Sequence, residues 1–365
     1  MKKKPFLVVG LLSAALIFVL ASCATKGVEV SNSNEFADAV QNLAGDNFSG
    51  NYAIAAVEDC TISEEFYYSK GKPVNGDSLF QMASVGKFIT AVGVMKLVED
   101  NIISLDEPVE NYLHSWQLPE SKYNNSEVTV RRLLSHTAGL TDGLGYLGFN
   151  NKESLQTLEE SLNYAKDSLP FRGKAAVGIE PGTEFRYSGG GYTLLQLMIE
   201  DVTGRSFNDY MRDEIFLPLG MESSTFIVDE DNESLSECYT SFGNARGYKY
   251  FTALAAASLF TTVNDLVKFA NFNLAGKEDF LDLSTLQEMR NLAGPVGDYG
   301  FGLGVQLFDE EGSIFGHGGD NLPAVKTFII INEKKKNALI VMKTGGTGSF
   351  VQKLVNTWLG WQLAN

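Results

Sequence analysis

A β-type segment passes directly into a helix in the stretch Ser78-Leu79-Phe80-Gln81-Met82-Ala83-Ser84-Val85-Gly86-Lys87. From Ser84 to Glu99, apolar side chains recur at helical spacing and helix-breaking residues are few, so the pattern predicts a long helix. The junction therefore places Ser84 in the first turn of this helix and Lys87 one turn further along the same face.

The Ser84–Lys87 pair has the spacing that serine activation requires. A lysine amine whose pKa is lowered by burial and by nearby positive charge can accept the serine proton. The helix N-terminus adds backbone N–H groups and a positive dipole end where an oxyanion would form. We therefore predict Ser84 as the nucleophile and Lys87 as its base. A helix N-cap serine beside a surface lysine is the alternative for such a pair in isolation.

A second copy of the same pattern occurs shortly before the first. It lies in the segment Tyr68-Ser69-Lys70-Gly71-Lys72. The lysines and glycine of this segment are typical of a turn, where no helix would align Ser69 with Lys72. We predict that this copy has no catalytic role.

Outward from the predicted helix, β-type segments lie at both ends of the chain and helical patterns dominate the middle. β-type segments cover residues 50–57, 65–69, 299–307, 313–316, 325–332 and 337–343, and helical patterns cover residues 84–99, 129–134, 190–202, part of 256–274, and 350–359. This order predicts an α+β fold: an antiparallel sheet built from both termini and flanked by helices, with a mostly helical insertion. We predict one domain over residues 45–365, with sheet regions at about 45–110 and 250–365 and a helical region at about 111–249. Residues 23–44 would form a tether and the start of the first helix.

Composition excludes several classes of function. The 365 residues carry a formal net charge of −16, and after residue 4 the only basic run is Lys334-Lys335-Lys336, which we predict to be a hairpin turn. We therefore expect no nucleic-acid partner. The chain has three histidines but no His-x-x-x-His or Cys-x-x-Cys pair, no Walker A loop and no dinucleotide fingerprint. It also lacks a Gly-x-Ser-x-Gly elbow around Ser84. No metal or organic cofactor is expected.

The N-terminus has the pattern of an export signal. Lys2 to Lys4 precede an apolar run over residues 5–20, which is short for a membrane-spanning helix. The run ends in Leu20-Ala21-Ser22-Cys23, which resembles a bacterial lipobox. We predict that residues 1–22 are a lipoprotein signal peptide and that lipid on Cys23 anchors the exported protein to a membrane of the cell envelope. A plain signal peptide or a retained anchor remain alternatives. A disulfide between Cys60 and Cys238 is permitted in an exported protein, but their spacing does not require one.

Several further motifs follow Ser84-Val85-Gly86-Lys87 in a fixed order. They are Leu133-Leu134-Ser135-His136-Thr137-Ala138-Gly139-Leu140, Pro181-Gly182-Thr183-Glu184-Phe185-Arg186-Tyr187-Ser188, Gly191-Tyr192-Thr193-Leu194-Leu195, Pro218-Leu219-Gly220-Met221, Tyr299-Gly300-Phe301-Gly302 and Gly316-His317-Gly318-Gly319. With these motifs the chain resembles the serine β-lactamase and penicillin-binding-protein superfamily. It is most similar to the branch of class C β-lactamases, D-Ala-D-Ala carboxypeptidases and related esterases. The resemblance covers about residues 45–360.

The resemblance implies a role for each matching residue. Ser84 would be acylated with Lys87 as its partner, and Tyr187, from the family's Tyr-x-Asn motif, would relay protons to Ser84 and the leaving group. His317 matches the third motif, usually Lys-Thr-Gly or His-x-Gly, and with Gly318 and Gly319 would bind substrate, including its carboxylate. The backbone N–H groups of Ser84 and Asp320 would form the oxyanion hole.

Two departures from the family pattern bear on the substrate. Gly189 replaces the asparagine of the second motif, which hydrogen-bonds the substrate's side-chain amide in this family. His317 in place of lysine also points away from a dedicated class C β-lactamase. Two literal motif copies, Lys343-Thr344-Gly345 and Tyr123-Asn124-Asn125, are predicted to be a strand end and a solvated loop. We predict that His136 fixes a turn and takes no part in catalysis.

These observations predict a serine hydrolase that forms an acyl-enzyme at Ser84 and releases it with water. The substrate would be an ester or amide, either a small molecule or a peptide, including one derived from peptidoglycan. One alternative is a β-lactamase or D-Ala-D-Ala carboxypeptidase. Another is a catalytically silent binding lipoprotein that keeps the fold, although such a protein has no need of intact Ser84, Lys87 and Tyr187.

Overall fold

The computed structural model describes residues 26–142, 145–169, 173–294 and 300–364. The predicted signal peptide at 1–22, the predicted lipidation site Cys23, and Tyr299 lie outside these ranges. The strands are β1 Gly50–Glu58, β2 Thr61–Tyr68, β3 Phe80–Ala83, β4 Gly145–Tyr146, β5 Ser168–Leu169, β6 Cys238–Tyr239, β7 Ala245–Arg246, β8 Leu259–Thr261, β9 Gly300–Phe301, β10 Gln306–Leu307, β11 Ile314–Asn321, β12 Val325–Asn332 and β13 Asn337–Gly345.

The helices cover both ends and the middle of the chain. They are α1 Ser33–Ala44, α2 Val85–Glu99, α3 Val130–Leu134, α4 Leu158–Tyr164, α5 Gly189–Thr203, α6 Phe207–Met211, α7 Leu254–Ala257, α8 Val263–Ala275, α9 Leu283–Met289 and α10 Ser349–Leu363. Short 3-10 turns occur at Val109–Tyr112, Asn125–Glu127 and Lys152–Ser154, and Arg212–Phe216 forms a π-helical turn. Within the described ranges, no helix has both the length and the apolar character needed to cross a membrane.

The main sheet has seven antiparallel strands in the order β2-β1-β13-β12-β11-β10-β9. Two of these strands come from the N-terminal part of the chain and five from the C-terminal part. The chain between them forms most of the helices and only two-stranded pairs, namely β3-β8, β4-β5 and β6-β7. This arrangement confirms the predicted α+β fold.

The sheet is covered by helices on both faces. On the back face, Ile54, Phe328 and Val341 pack in one apolar cluster with residues of α1 and α10. On the front face, their neighbours along the strands, such as Ile329 and Met342, join a larger cluster that includes α2 and α8. Successive side chains of a strand point to opposite faces, so burial on both faces explains the nearly continuous apolar runs in β12 and β13.

Helix α2 runs through the centre of the front layer. Twelve of its fifteen residues are buried, including Lys87. A helix that is apolar all round needs partners on every side, and the sheet, α7 and α5 supply them. The N-terminus of α2, and with it Ser84, is thereby fixed against the edge of β11.

Strand β11 is longer than the sequence pattern indicates. The prediction ended this segment at Gly316, whereas the strand continues to Asn321. Glycine-rich sequence has low intrinsic β-propensity, but full pairing with β12, from Ile314↔Asn332 to Asn321↔Val325, holds it in the sheet. The third motif therefore lies within a strand.

Candidate active site

Ser84 lies at the junction of β3 and α2. Ala83 before it adopts a left-handed backbone conformation with φ 51°, unusual for a residue with a side chain. Ser84 already has helical angles and occupies the N-cap position, but its side chain makes no capping hydrogen bond. The hydroxyl is therefore available for other partners, which the N-cap alternative did not anticipate.

Strand β11 approaches this junction very closely. A Cβ atom on Gly319 would lie 2.3 Å from the Met82 carbonyl oxygen and 2.4 Å from Thr327 Oγ1. Thr327 Oγ1 also donates a hydrogen bond to the Met82 carbonyl, at 2.8 Å. Because any side chain at position 319 would displace the backbone of β3, glycine is required there.

Lys87 projects back from the first turn of α2 towards Ser84. Its Nζ lies 3.2 Å from Ser84 Oγ and 2.6 Å from the Ala256 carbonyl oxygen. The side chain is buried, and burial lowers the pKa of Lys87 to about 7, against an opposing effect of Asp142. The amine is therefore partly neutral near pH 7, with a lone pair within reach of the serine proton.

Tyr187 lies on the other side of Ser84. Its hydroxyl interacts with the Ser84 side chain, which lowers the Tyr187 pKa slightly against the effect of burial, and its ring centroid is 5.0 Å from Lys87 Nζ. Burial raises the pKa of Tyr187, so the phenol keeps its proton at neutral pH. The structure thus brings together the three side chains predicted to carry out catalysis.

His317 faces the same site from β11. Its ring centroid lies 6.3 Å from that of Tyr187, and burial followed by the charge of Lys87 lowers the pKa of His317 to about 3. Nδ1 lies 2.6 Å from the Gly318 carbonyl oxygen. Since a carbonyl can only accept, we assign the proton to Nδ1. Nε2 then presents a lone pair and has no hydrogen-bond partner among the described residues.

The predicted oxyanion hole falls where two backbone segments meet. Asp320 follows Gly319, where a Cβ atom would lie 2.3 Å from the Met82 carbonyl oxygen and 3.1 Å from Ala83 Cβ, so this part of β11 passes close to the two residues before Ser84. The Asp320 carboxylate pairs with Lys326 Nζ at 3.0 Å. The assignment of the Ser84 and Asp320 N–H groups to an oxyanion hole stays a prediction.

The literal Lys-Thr-Gly copy lies on the other side of the sheet. Lys343 has the same strand parity as Val341, which belongs to the back cluster, and it pairs with Lys326 and Tyr52. Its Nζ donates to the Thr347 carbonyl oxygen at 3.3 Å. The literal Tyr-x-Asn copy also serves its own loop, because the Nδ2 of its asparagine, Asn125, donates to the Pro119 carbonyl oxygen at 3.1 Å.

His136 supports Tyr187 from behind. Its Nδ1 accepts a hydrogen bond from the Ser188 backbone N–H at 3.2 Å, and its ring centroid lies 4.3 Å from that of Tyr187. Its backbone is left-handed, with φ 58°. Burial holds the pKa of His136 well below its usual value, so the ring is neutral. This geometry is that of the turn-fixing role predicted for it.

Asp142 was missed by sequence reasoning. Its carboxylate accepts hydrogen bonds from Ser188 Oγ at 2.5 Å and from the Gly190 backbone N–H at 2.6 Å. It is buried, which raises the pKa of Asp142 despite these hydrogen bonds. The signal that could have found it is the run Gly189-Gly190-Gly191 at the start of a helix, since helices rarely begin with three glycines unless neighbours occupy the space.

The remaining candidate groups do not assemble into a further site. Cys60 and Cys238 are both free thiols. Over the described ranges, no three His, Cys, Asp or Glu side chains cluster in the way a metal ion would need.

The sequence is similar to those of several bacterial proteins. The chain is 28% identical over 319 residues to Penicillin-binding protein 4* of Bacillus subtilis (strain 168), covering 81% of this chain and 68% of that protein. It is 25% identical over 308 residues to Protein flp of Staphylococcus aureus (strain MW2), covering 78% of this chain and 56% of that protein. The chain therefore spans between about half and two thirds of the length of these relatives.

Solved structures share the fold. The octameric penicillin-binding protein homologue from Pyrococcus abyssi matches with a TM-score of 0.74 and 23% identity, over 90% of this chain and 78% of that one. A penicillin binding protein from Bacillus halodurans matches with a TM-score of 0.67 and 20% identity, over 92% of this chain and 100% of that one. The family model described as Beta-lactamase matches residues 37–358. The chain therefore belongs to the Beta-lactamase family, within the superfamily of serine β-lactamases and penicillin-binding proteins.

Proposed function

We propose that this serine hydrolase forms an acyl-enzyme at Ser84 and acts on carboxylic esters. The observation that carries the proposal is the buried Lys87 amine, 3.2 Å from Ser84 Oγ and with a pKa near 7. A charged surface lysine at the same distance could not accept a proton at neutral pH.

Acylation follows from the hydrogen bonds around Lys87. The neutral amine donates one N–H to the Ala256 carbonyl, which aims its lone pair at the Ser84 hydroxyl. As Oγ attacks the substrate's carbonyl carbon, its proton passes to Lys87 Nζ. The carbonyl oxygen becomes an oxyanion facing the proposed N–H donors of Ser84 and Asp320.

Collapse of this intermediate breaks the bond to the leaving group. Tyr187, whose raised pKa keeps its proton available, donates that proton to the departing oxygen and is reprotonated by Lys87. In the second half, water attacks the acyl carbon and gives its proton to the same Tyr187–Lys87 pair. Ser84 recovers its hydroxyl proton as the acid is released, so protons balance over the cycle.

Two features favour esters over substrates with an amide side chain and a carboxylate. Gly189 supplies no side chain for the substrate's amide. His317 is neutral, with its proton held by the Gly318 carbonyl, so it offers a substrate carboxylate no positive charge. Similarity to Penicillin-binding protein 4* keeps a second candidate, a β-lactamase or D-Ala-D-Ala carboxypeptidase.

The test is covalent labelling followed by mass spectrometry. The purified full chain is incubated with a fluorophosphonate, with p-nitrophenyl acetate or with benzylpenicillin. Ser84→Ala is compared with Ser69→Ala, which changes the serine of the second Ser-x-x-Lys copy. We expect one fluorophosphonate adduct and acetate turnover in the wild type and in Ser69→Ala, and neither in Ser84→Ala.

Benzylpenicillin separates the candidates. A penicilloyl adduct that needs Ser84 would identify a penicillin-binding site with slow deacylation, and Ser84-dependent hydrolysis of the drug would identify a β-lactamase. Either result, without ester turnover, would replace the esterase proposal. Absence of every Ser84-dependent reaction would favour the silent binding protein.

We also propose that the protein is exported and anchored by lipid on Cys23. The chain is already docked at residue 28, whose backbone N–H donates to Thr357 Oγ1 of α10 at 2.9 Å. A chain spans at most about 3.5 Å per residue, so the short segment from 23 to 27 keeps Cys23 close to α10. Lipid on Cys23 would thus hold the α1 and α10 side of the domain near the membrane and leave the front-face site on the far side.

Metabolic labelling with a palmitate analogue tests this anchor. We expect label and membrane fractionation in the wild type, and loss of both in Cys23→Ala. Cys60→Ala serves as the matched control and should keep both. Membrane fractionation of Cys23→Ala without label would indicate a retained N-terminal anchor instead.

A further inference from the structure

A tyrosine ring occupies the space where the second motif of this family carries its asparagine side chain. A Cβ atom on Gly189 would lie 2.8 Å from Tyr146 Cε2, and its three nearest heavy atoms all belong to that ring. The Gly189 backbone is not in the left-handed region, so it does not by itself demand glycine. Gly189 is therefore explained by the neighbouring ring.

Hydrogen bonds hold the Tyr146 ring in this place. Its hydroxyl lies 2.8 Å from Thr193 Oγ1, and Thr193 in turn donates to the Gly189 carbonyl oxygen at 3.2 Å. Because Thr193 has one hydroxyl proton and uses it on Gly189, the Tyr146 hydroxyl is the donor in their contact. Its proton is thus committed to the protein, so it does not replace the amide donor of an asparagine.

The next position shows the same relation. A Cβ atom on Gly190 would lie 2.7 Å from Asp142 Cγ. Two consecutive glycines at the start of α5 thus accommodate two side chains, Asp142 and Tyr146, that reach in from one short segment of chain. Gly189 lies two residues after Tyr187, whose ring centroid is 5.0 Å from Lys87 Nζ, so Tyr146 packs against the backbone segment that carries the tyrosine of the site.

We propose that Tyr146 determines the acyl specificity of this site. The inference rests on the proposed hydrolysis at Ser84 and names the substrate class more narrowly. The ring removes the volume and the amide group that would receive a substrate's side-chain amide, and presents carbon atoms in their place. The preferred substrates are esters of short, unfunctionalised carboxylic acids such as acetate and propionate.

A double-mutant cycle tests the packing without relying on activity. Thermal unfolding is measured for Gly189→Ala, Tyr146→Ala and the double variant. In the wild-type background Gly189→Ala should lower the melting temperature, because the new Cβ meets the ring. In the Tyr146→Ala background, Gly189→Ala should leave the melting temperature unchanged or raise it, since alanine has a higher helix propensity than glycine. Equal shifts in both backgrounds would overturn the claim that the ring dictates glycine.

A panel of p-nitrophenyl esters from acetate to octanoate tests the specificity. We expect Tyr146→Ala to raise kcat/KM for long acyl chains, relative to acetate, by about tenfold or more. Tyr146→Phe keeps the ring and should keep the wild-type ratio. An unchanged ratio in Tyr146→Ala, with Ser84-dependent turnover intact, would overturn only the assignment of Tyr146. If the wild type hydrolyses none of the esters through Ser84, the proposed function and its ester class are both wrong. The thermal unfolding cycle then still tests whether the Tyr146 ring packs against Gly189.

Discussion

The two Ser-x-x-Lys sequences of this chain have the same pattern and different structures. Ser69 and Lys72 lie in an irregular exposed segment after β2, and Lys72 donates through its backbone N–H to Glu237 at 2.8 Å and through Nζ to the Glu233 carbonyl. Ser84 and Lys87 lie at the start of a buried helix and contact each other at 3.2 Å. Only the second pair has a helix to align it and a core to desolvate its amine.

The comparison shows which part of the motif carries the chemistry. A lysine in water holds its proton up to a pKa near 10.4 and cannot act as a base at neutral pH. Burial of Lys87 lowers its pKa to about 7, and neighbouring His136 and His317 are both neutral. The reactivity therefore comes from the buried environment of the amine, and the Ser-x-x-Lys motif alone does not specify that environment.

Replacing each lysine by methionine gives the largest expected difference. Lys87→Met should lower kcat/KM for p-nitrophenyl acetate by about 10²–10⁴, the usual loss when a general base is removed. Lys72→Met should remain within about twofold of the wild type, since it removes only the exposed hydrogen bond from Nζ to the Glu233 carbonyl. Steady-state kinetics on the two variants measures this. Comparable losses in both would mean that the buried pair has no special reactivity.

The same two variants should also differ in stability. Lys87→Met, which loses activity, should be more stable than the wild type at pH 7. Folding lowers the pKa of Lys87 from 10.5 to about 7, so between these values the unfolded chain binds more protons and stability falls as the pH is lowered. Below about pH 7 the full penalty applies. Removing the amine should therefore raise the free energy of unfolding of Lys87→Met at pH 7 by about 2–4 kcal/mol, after loss of its hydrogen bonds.

This gain should shrink towards pH 10, where the wild-type lysine is neutral in the folded state and only about three-quarters charged in the unfolded chain. Urea unfolding at pH 7 and pH 9.5 measures both differences. Lys72→Met should change the free energy of unfolding by less than about 0.5 kcal/mol at either pH. A destabilised Lys87→Met at pH 7 would show that the lysine is charged and stabilised in the folded protein.

A smaller effect is expected from Asp142, whose charge acts on the Lys87 amine. The kcat/KM profile of the wild type should rise with pH, about tenfold per unit, and level off near the Lys87 pKa of about 7. Asp142 favours the protonated lysine, so Asp142→Asn should move this limb to lower pH. The pH profile separates this from a merely structural loss, which would lower the rate at every pH.

Asp167→Asn is the control for this shift. Asp167 is also a buried carboxylate, with its pKa raised to about 6 by burial, but its charge acts on Tyr146 and is not among the influences on Lys87. We expect its limb to coincide with that of the wild type. A limb that moves upwards in Asp142→Asn would contradict the assigned direction of the interaction.

The fold and the position of Ser84 and Lys87 on one helix turn could be predicted from the sequence, because these features rest on local patterns. Tyr187 and His317 were assigned only through resemblance to the motifs of the superfamily. The strand before Ser84, the α2 helix and the terminal strands all have strong apolar periodicity. The extent of β11 was underestimated, since its glycines pair only because β12 holds them. Asp142 and Tyr146 were not predicted, because the run of glycines at 189–191 indicates that neighbouring side chains occupy the space there but does not indicate which residues supply them.

The smallest expected effect concerns the second literal motif, Lys343-Thr344-Gly345. Lys343 resembles Lys87 in being buried, and burial together with nearby Lys326 lowers the pKa of Lys343 to about 8. It lies on the back face, however, where its amine bonds the Thr347 carbonyl and the sheet separates it from Ser84. Lys343→Met should therefore leave kcat/KM within about twofold of the wild type. His317→Ala, on the front face, should lower it by about tenfold or more. A loss of kcat/KM of about tenfold in Lys343→Met, with little change in His317→Ala, would assign the third motif to β13. It would also contradict the position of Lys343 on the back face, where the sheet separates its amine from Ser84.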